Sequence, residues 1–131
     1  FEDMTKYRQK LEGSNARGLS TLDLSGTYSE QGETKATFYN LTISETGAVS
    51  GGSRDDDGNA EIAGTLAWPD REKDSGSLAL LEWRGEEEIE IQGTLKHSPE
   101  RGYTYNAQYI SKQGVQGSLA VVSLPAARAA E

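Results

Sequence analysis

From Leu19 onward, apolar and polar residues alternate in short runs that are separated by turn residues such as Gly, Asp and Ser. Alternation of this kind places every second side chain on the same face of a strand. The pattern predicts eight strands, at residues 22–29, 34–44, 48–54, 59–68, 77–84, 88–97, 103–111 and 115–124. Short strands joined by hairpin turns predict a single all-β domain, an eight-stranded antiparallel up-and-down (meander) barrel.

A short motif recurs in four of the predicted strands: an apolar residue, any residue, Gly, Thr or Ser, and then an apolar or aromatic residue. Its glycines are Gly26, Gly64, Gly93 and Gly117. A glycine in mid-strand weakens the strand and usually marks a bend or a position where another segment comes close. Each glycine shares a face with the flanking apolar residues, so we expect it to point into the barrel, where closed barrels need bends and small residues.

The first eleven residues have a different period. Phe1, Met4, Tyr7 and Leu11 recur every three or four residues, which places them on one face of an amphipathic helix. A helix this short is marginal alone, so we expect its apolar face to close one end of the barrel or to dock on a partner. The pattern divides the chain into a short helix with a linker, a barrel domain and a C-terminal tail, at residues 1–18, 19–124 and 125–131.

Composition narrows the range of partners. The chain has 131 residues, the length of one domain. It has 13 basic and 21 acidic side chains and a net charge of −8, so it lacks the basic surface that nucleic acids and anionic membranes require. It contains no Cys, and no apolar run has the length of a membrane-spanning helix. We therefore expect no nucleic-acid partner, no transmembrane segment and no cofactor.

The only histidine is His97, and Ser98 follows it directly. Nucleophilic catalysis needs a placed nucleophile, a base and an orienting acid, and adjacency in sequence does not provide that geometry. A solvated loop histidine is the simpler interpretation. Since no pairing of nucleophile and base and no set of metal ligands stands out, we expect a protein that is not an enzyme.

One stretch has the spacing of a calcium-binding loop. Asp55, Asp57 and Asn59 would present oxygen ligands at alternate positions. However, Ala60 stands where such a loop needs Gly, and Leu66 stands where it needs Glu. Asp and Gly residues also form hairpin turns, so the sequence favours a turn without metal, with calcium as the alternative.

Several motifs resemble those of the avidin-like members of the lipocalin-type meander barrels. Gly26-Thr27-Tyr28 stands where these families begin their first strand, Trp83 corresponds to their pocket tryptophan on the fifth strand, and Gln108-Tyr109 corresponds to a Gln-Trp pair on the seventh. The resemblance implies an eight-stranded barrel, an oligomer, and a carrier of a small, largely apolar ligand in the barrel mouth. The last predicted strand has neither the aspartate nor the tryptophan of the avidin pocket, so the resemblance does not extend to biotin. The expected pocket residues are Tyr28, Tyr39, Trp83 and Tyr109.

The predicted strand at 77–84 is apolar on both faces. Leu78 and Leu80 lie on one face, and Leu81 and Trp83 lie on the other. A three-residue turn into the next strand would point Leu78 and Leu80 outward, whereas a turn one residue shorter would leave Leu81 and Trp83 outside. Either register predicts large apolar side chains on the outer wall.

The last predicted strand has the same character, because Leu119 and Val121 face one way and Val122 and Leu124 the other. Contiguous exposed apolar surface usually marks an interface. The leading hypothesis is therefore a non-catalytic interaction module that binds its own copies or a larger assembly, and the small-ligand carrier is the alternative. The residues expected at the interface are Leu78, Leu80, Leu119 and Val121.

Overall fold

The structure, a computed structural model, describes residues 13–123. The strands in this part of the chain are β1 (Ser14–Asn15), β2 (Thr21–Glu30), β3 (Glu33–Ile43), β4 (Ala48–Asp55), β5 (Gly58–Trp68), β6 (Ser75–Arg84), β7 (Glu87–Ser98), β8 (Gly102–Ser111) and β9 (Gln116–Ser123). Among residues 13–123, no helix has the length and apolar character needed to cross a bilayer. The helix predicted at 1–11 and the tail predicted at 125–131 lie outside the described residues.

Strands β2 to β9 form one antiparallel sheet that closes on itself. Each strand pairs with the next along the chain, and β9 pairs with β2, from Leu24 opposite Ser123 to Ser29 opposite Ser118. The short β1 adds in parallel to β5. The prediction of an eight-stranded antiparallel up-and-down barrel is confirmed. Every barrel strand therefore has a partner on both sides.

Apolar side chains fill one half of the barrel interior. Leu24, Leu41, Leu66, Leu78 and Leu95 are 0 % exposed. Complete burial of such a side chain contributes about 1.5–3 kcal/mol, so this layer is a main source of stability.

Arg17 closes this filled end of the barrel. Its guanidinium carbon lies 5.5 Å from the ring centroid of Trp68 and 5.9 Å from that of Tyr103. Its Nε donates a hydrogen bond to the Tyr103 hydroxyl at 3.1 Å, and its Nη2 contacts Nδ1 of His97. A guanidinium over aromatic rings contributes about 0.5–2 kcal/mol. These contacts seal one end of the interior.

The glycines of the repeated motif lie where neighbouring strands come closest. A Cβ added to Gly93 would overlap the carbonyl oxygen of Asn106 and the backbone of Ala107, and one added to Gly26 or Gly64 would meet a backbone carbonyl in the same way. Strands approach this closely when a small barrel coils strongly. The expectation that these glycines permit close approach within a barrel is therefore met at these positions.

The hairpin between β6 and β7 decides which face of β6 is inside. Its turn has two residues, Gly85 and Glu86, because Arg84 pairs with Glu87. Gly85 has a φ of 62°, which glycine adopts without strain because it has no Cβ. The shorter of the two turns considered from the sequence is therefore the one present. It points Leu80 into the barrel opposite Ile91.

This register corrects the predicted interface. Four residues assigned to an outer surface lie inside the barrel and are 0–3 % exposed: Leu78, Leu80, Leu119 and Val121. On β6 the outer face carries Leu81 and Trp83 instead, and both are half-buried. On β9 the outward apolar side chain is Val122, which is 46 % exposed. The placement of the four residues on the outer wall is therefore wrong.

Candidate ligand-binding site

The barrel interior is open at the end opposite Arg17, where a cavity of about 250 Å³ extends between the strands. The ends of β2, β4, β6 and β8 and the beginnings of β3 and β7 contribute its walls. We call this cavity and its rim the mouth. Its lining combines three tyrosines, two isoleucines, six carboxylates and two basic side chains. A concave site with aromatic walls and a few converging polar groups is typical of small-molecule binding.

Three tyrosines form the aromatic part of the mouth. The rings of Tyr28 and Tyr109 meet edge to face, with centroids 6.3 Å apart and planes at 66°. The Tyr109 hydroxyl donates to Oε1 of Glu30 at 2.9 Å, and the Tyr39 hydroxyl donates to Oε1 of Glu82 at 3.1 Å. Burial, followed by the adjacent Glu30, raises the pKa of Tyr109, and burial followed by Glu82 raises that of Tyr39. The phenols are therefore neutral donors that fix two carboxylates in place.

Gly117 explains how Tyr109 reaches its position. A Cβ added to Gly117 would overlap the phenol end of the Tyr109 ring. The two residues are partners in the β8–β9 register, so the ring crosses the space that a side chain at 117 would fill. The repeated glycine motif thus opens room for one wall of the mouth as well as for strand packing.

Glu82 is the most deeply buried carboxylate of the mouth, at 7 % exposed. Burial raises the pKa of this carboxyl; the hydrogen bond from Tyr39 lowers it, nearby Asp55 raises it and Arg84 lowers it. Within residues 13–123 Glu82 makes no ion pair. Burial of a carboxylate that forms no ion pair is costly, so a cationic group bound beside Glu82 would be favourable.

Both basic side chains of the mouth are already engaged. Arg84 pairs with Asp55 at 3.1 Å and with Glu87 at 3.9 Å, and Lys35 pairs with Glu33 at 3.8 Å. Arg84 also donates to the backbone carbonyls of residues 58 and 59. The carboxylates outnumber these two cations. The mouth therefore has an excess of negative charge.

Three of the four predicted pocket residues, Tyr28, Tyr39 and Tyr109, line the mouth. Trp83 does not, because it follows Glu82 on β6 and points outward, between Glu61 and Glu88 of the adjacent strands. The two-residue turn places the carboxylate inside and the indole outside. The correspondence with a pocket tryptophan therefore does not hold for this side chain.

The residues of the calcium alternative lie on two sides of the barrel wall. Asp55 and Asp57 line the mouth. Asn59 is exposed, in a groove on the outer wall. The Asp55 carboxylate accepts the backbone N–H of Asp57 at 2.8 Å and pairs with Arg84. The three side chains do not converge on one point, and Asp55 instead stabilises the hairpin turn between β4 and β5.

His97 lies at the sealed end of the barrel, away from the mouth. Its ring centroid is 4.7 Å from that of Tyr103. Burial, followed by the charge of Arg17, lowers the pKa of His97. The Ser98 hydroxyl accepts the backbone N–H of Arg101 at 3.0 Å and so caps the following turn. The interpretation of His97 as a solvated loop residue is wrong: it is the next-to-last residue of β7 and is half-buried against Arg17 and Tyr103.

Sequence reasoning missed Glu82. The signal was present, because Glu82 continues the alternation of Leu78 and Leu80 and interrupts an otherwise apolar stretch. A carboxylate in phase with core residues either breaks the pattern or marks a polar site. Choosing between these needed the turn length that decides the face.

Comparison of the chain with family models, with curated proteins and with solved structures found no match.

Proposed function

We propose that this protein is a non-catalytic binder of a small molecule, which it holds in the mouth of the barrel. The observation that carries the proposal is the cavity of about 250 Å³ at one end of a barrel whose other end is filled and sealed. Small barrels hold either side chains alone or one small ligand. The likeness to avidin- and lipocalin-type barrels in strand number and connectivity supports the same function.

The test is a thermal-shift screen with a library of small molecules that spans charge and polarity. Thr37→Phe fills the mouth from β3, and Ile89→Trp fills it from β7 across the barrel. Ala36→Phe is the matched control, because Ala36 is the exposed neighbour of Thr37 on the outer face. We expect compounds that stabilise the wild type and the Ala36→Phe variant but neither of the filled variants, because a ligand stabilises the state that it binds.

A screen without any compound of this behaviour would contradict the proposal. Native mass spectrometry of the chain purified without denaturation provides a second measurement. We expect a bound small molecule that is absent from both filled variants.

A second candidate function is self-association through the outer wall. It is supported by Leu81 and Trp83, which lie on the outward face of β6 beside the small side chain of Ala63. Apolar side chains on adjacent outward positions favour an interface. The partner in this case is a second copy of the chain.

A further inference from the structure

The mouth contains more negative charge than its own cations can balance. Arg84 and Lys35 are its two basic side chains, and each already pairs with a carboxylate. Glu30 and Glu82 instead accept hydrogen bonds from neutral phenols. A positively charged group of a ligand could therefore pair with these carboxylates.

A second observation points to the same position. The Ser53 hydroxyl, in a residue 7 % exposed, has no hydrogen bond of normal geometry within residues 13–123. Ser53 is the register partner of Tyr39, and its hydroxyl approaches Glu82 as a hydrogen-bond donor, which lowers the pKa of that carboxyl. The lone pairs of this hydroxyl accept no hydrogen bond from residues 13–123, so it keeps capacity to accept one. The Ser53 hydroxyl and the Glu82 carboxylate, which has no ion pair, thus lie side by side.

Aromatic rings supply the other part of such a site. Tyr28, Tyr39 and Tyr109 line the same cavity as Glu82. Tyrosine faces attract organic cations, and the attraction grows as water is excluded. The tyrosine rings and the side chains of Ile89 and Ile91 give the cavity apolar walls for an uncharged group.

We propose that the ligand of the mouth is a small protonated amine with an apolar group, whose ammonium binds Glu82. This inference rests on the proposed binding function and names the chemical class of its ligand. The ammonium donates hydrogen bonds to the Glu82 carboxylate, with the Ser53 hydroxyl as a further acceptor. The apolar group lies against the tyrosine rings. An anionic ligand would face the excess of carboxylates, and a neutral one would leave Glu82 without an opposite charge.

The experiment uses three probes with one carbon skeleton: 2-phenylethylamine, which is a cation, 2-phenylethanol, which is neutral, and phenylacetate, which is an anion. Binding to the full chain is measured by isothermal titration calorimetry. The variants are Glu82→Gln, which keeps the shape and an acceptor for Tyr39, and Glu61→Gln, which removes the same charge from the exposed outer face. Glu61→Gln controls for the effect of net charge.

We expect the amine to bind more tightly than the other two probes. Glu82→Gln should weaken its binding roughly 10- to 100-fold, as expected when a charged hydrogen bond is lost, whereas Glu61→Gln should leave it unchanged. Circular dichroism of the Glu82→Gln variant confirms that the barrel is retained.

Three results would overturn the inference and leave the binding function standing. The first is a neutral or anionic probe that binds as tightly as the amine and is excluded by Thr37→Phe. The second is amine binding that Glu82→Gln does not weaken. If the amine does not bind while the library yields a neutral or anionic compound excluded by Thr37→Phe, the inference also fails alone. If no compound binds the wild type and fails to bind the filled variants, both the inference and the proposed binding function are wrong.

Discussion

Glu82 links the stability of this barrel to the function proposed for its mouth. Its carboxyl is buried, is held by the Tyr39 hydroxyl and has no ion pair within residues 13–123. Burial of an ionised carboxylate opposes folding unless an opposite charge compensates it. The proposed cation site thus carries a cost in the ligand-free protein, which is the usual relation between binding sites and stability.

The first prediction concerns the pH dependence of stability. The pKa of Glu82 is raised above 4.5 in the folded chain, chiefly by burial. The folded state therefore holds more protons than the unfolded state in the pH range just above 4.5, and the contribution of Glu82 to stability falls as pH rises through that range. The groups that face the carboxyl modify this effect of burial: Asp55 raises its pKa further, and Tyr39, Arg84 and Ser53 lower it.

We expect Glu82→Gln to be more stable than the wild type near neutral pH, and this advantage should shrink as the pH falls to about 4.5 and below. The measurement is urea unfolding of both proteins across this pH range. Because His97 and the other carboxylates are common to both, the difference between the two curves isolates Glu82. An advantage that does not depend on pH would show that its charge is not the cause.

The strands depend on the motif glycines for their close approach. On β7, Gly93 faces β8 at a distance that leaves no room for a Cβ, since the added atom would overlap Asn106 and Ala107. On β4, Gly52 points outward, and the nearest atom to an added Cβ would be the Ala60 carbonyl oxygen at 3.1 Å. These two glycines provide a test of whether close approach or mere glycine content matters.

The second prediction is that Gly93→Ala destabilises the barrel by about 1–3 kcal/mol or more, because backbone atoms of β8 must shift to accommodate the methyl group. Gly52→Ala, the matched control, should change the free energy of unfolding much less. Urea unfolding at constant pH measures both. Equal effects of the two substitutions would show that close strand approach at Gly93 does not control stability.

The two proposed functions use two surfaces of the closed barrel, the mouth and the outer wall. Closure pairs every barrel strand on both sides, so edge-to-edge pairing of strands is blocked. The proposed association of copies would then use side chains of the outer wall. On β6 these include Leu81 and Trp83.

The third prediction is that the full chain self-associates at high concentration and that Leu81→Lys weakens this association. A stable interface buries about 800 Å² on each partner, and a charge at its apolar centre opposes that burial. Thr94→Lys places the same charge on the exposed outer face of β7 and serves as control. Sedimentation velocity over a range of concentrations measures the effect. A wild-type chain that stays monomeric throughout would exclude this second function.

Local patterns were sufficient for the architecture. Alternation places the strands, Gly and Asp clusters mark the hairpins, and the inward glycines indicate a strongly coiled barrel, because each of these properties depends on near neighbours in the chain. The three mouth tyrosines could also be predicted from the sequence, since each lies in phase with core residues of its own strand.

The face of β6 and the identity of the buried carboxylate depended on tertiary structure. A turn of two residues instead of three exchanges the inside and outside of β6, because side chains alternate with a period of two. That single difference places Leu80 and Glu82 inside and Leu81 outside. The hydrogen bond between Glu82 and Tyr39 joins residues 43 positions apart. Such pairs are created by closure of the sheet, which local alternation does not encode.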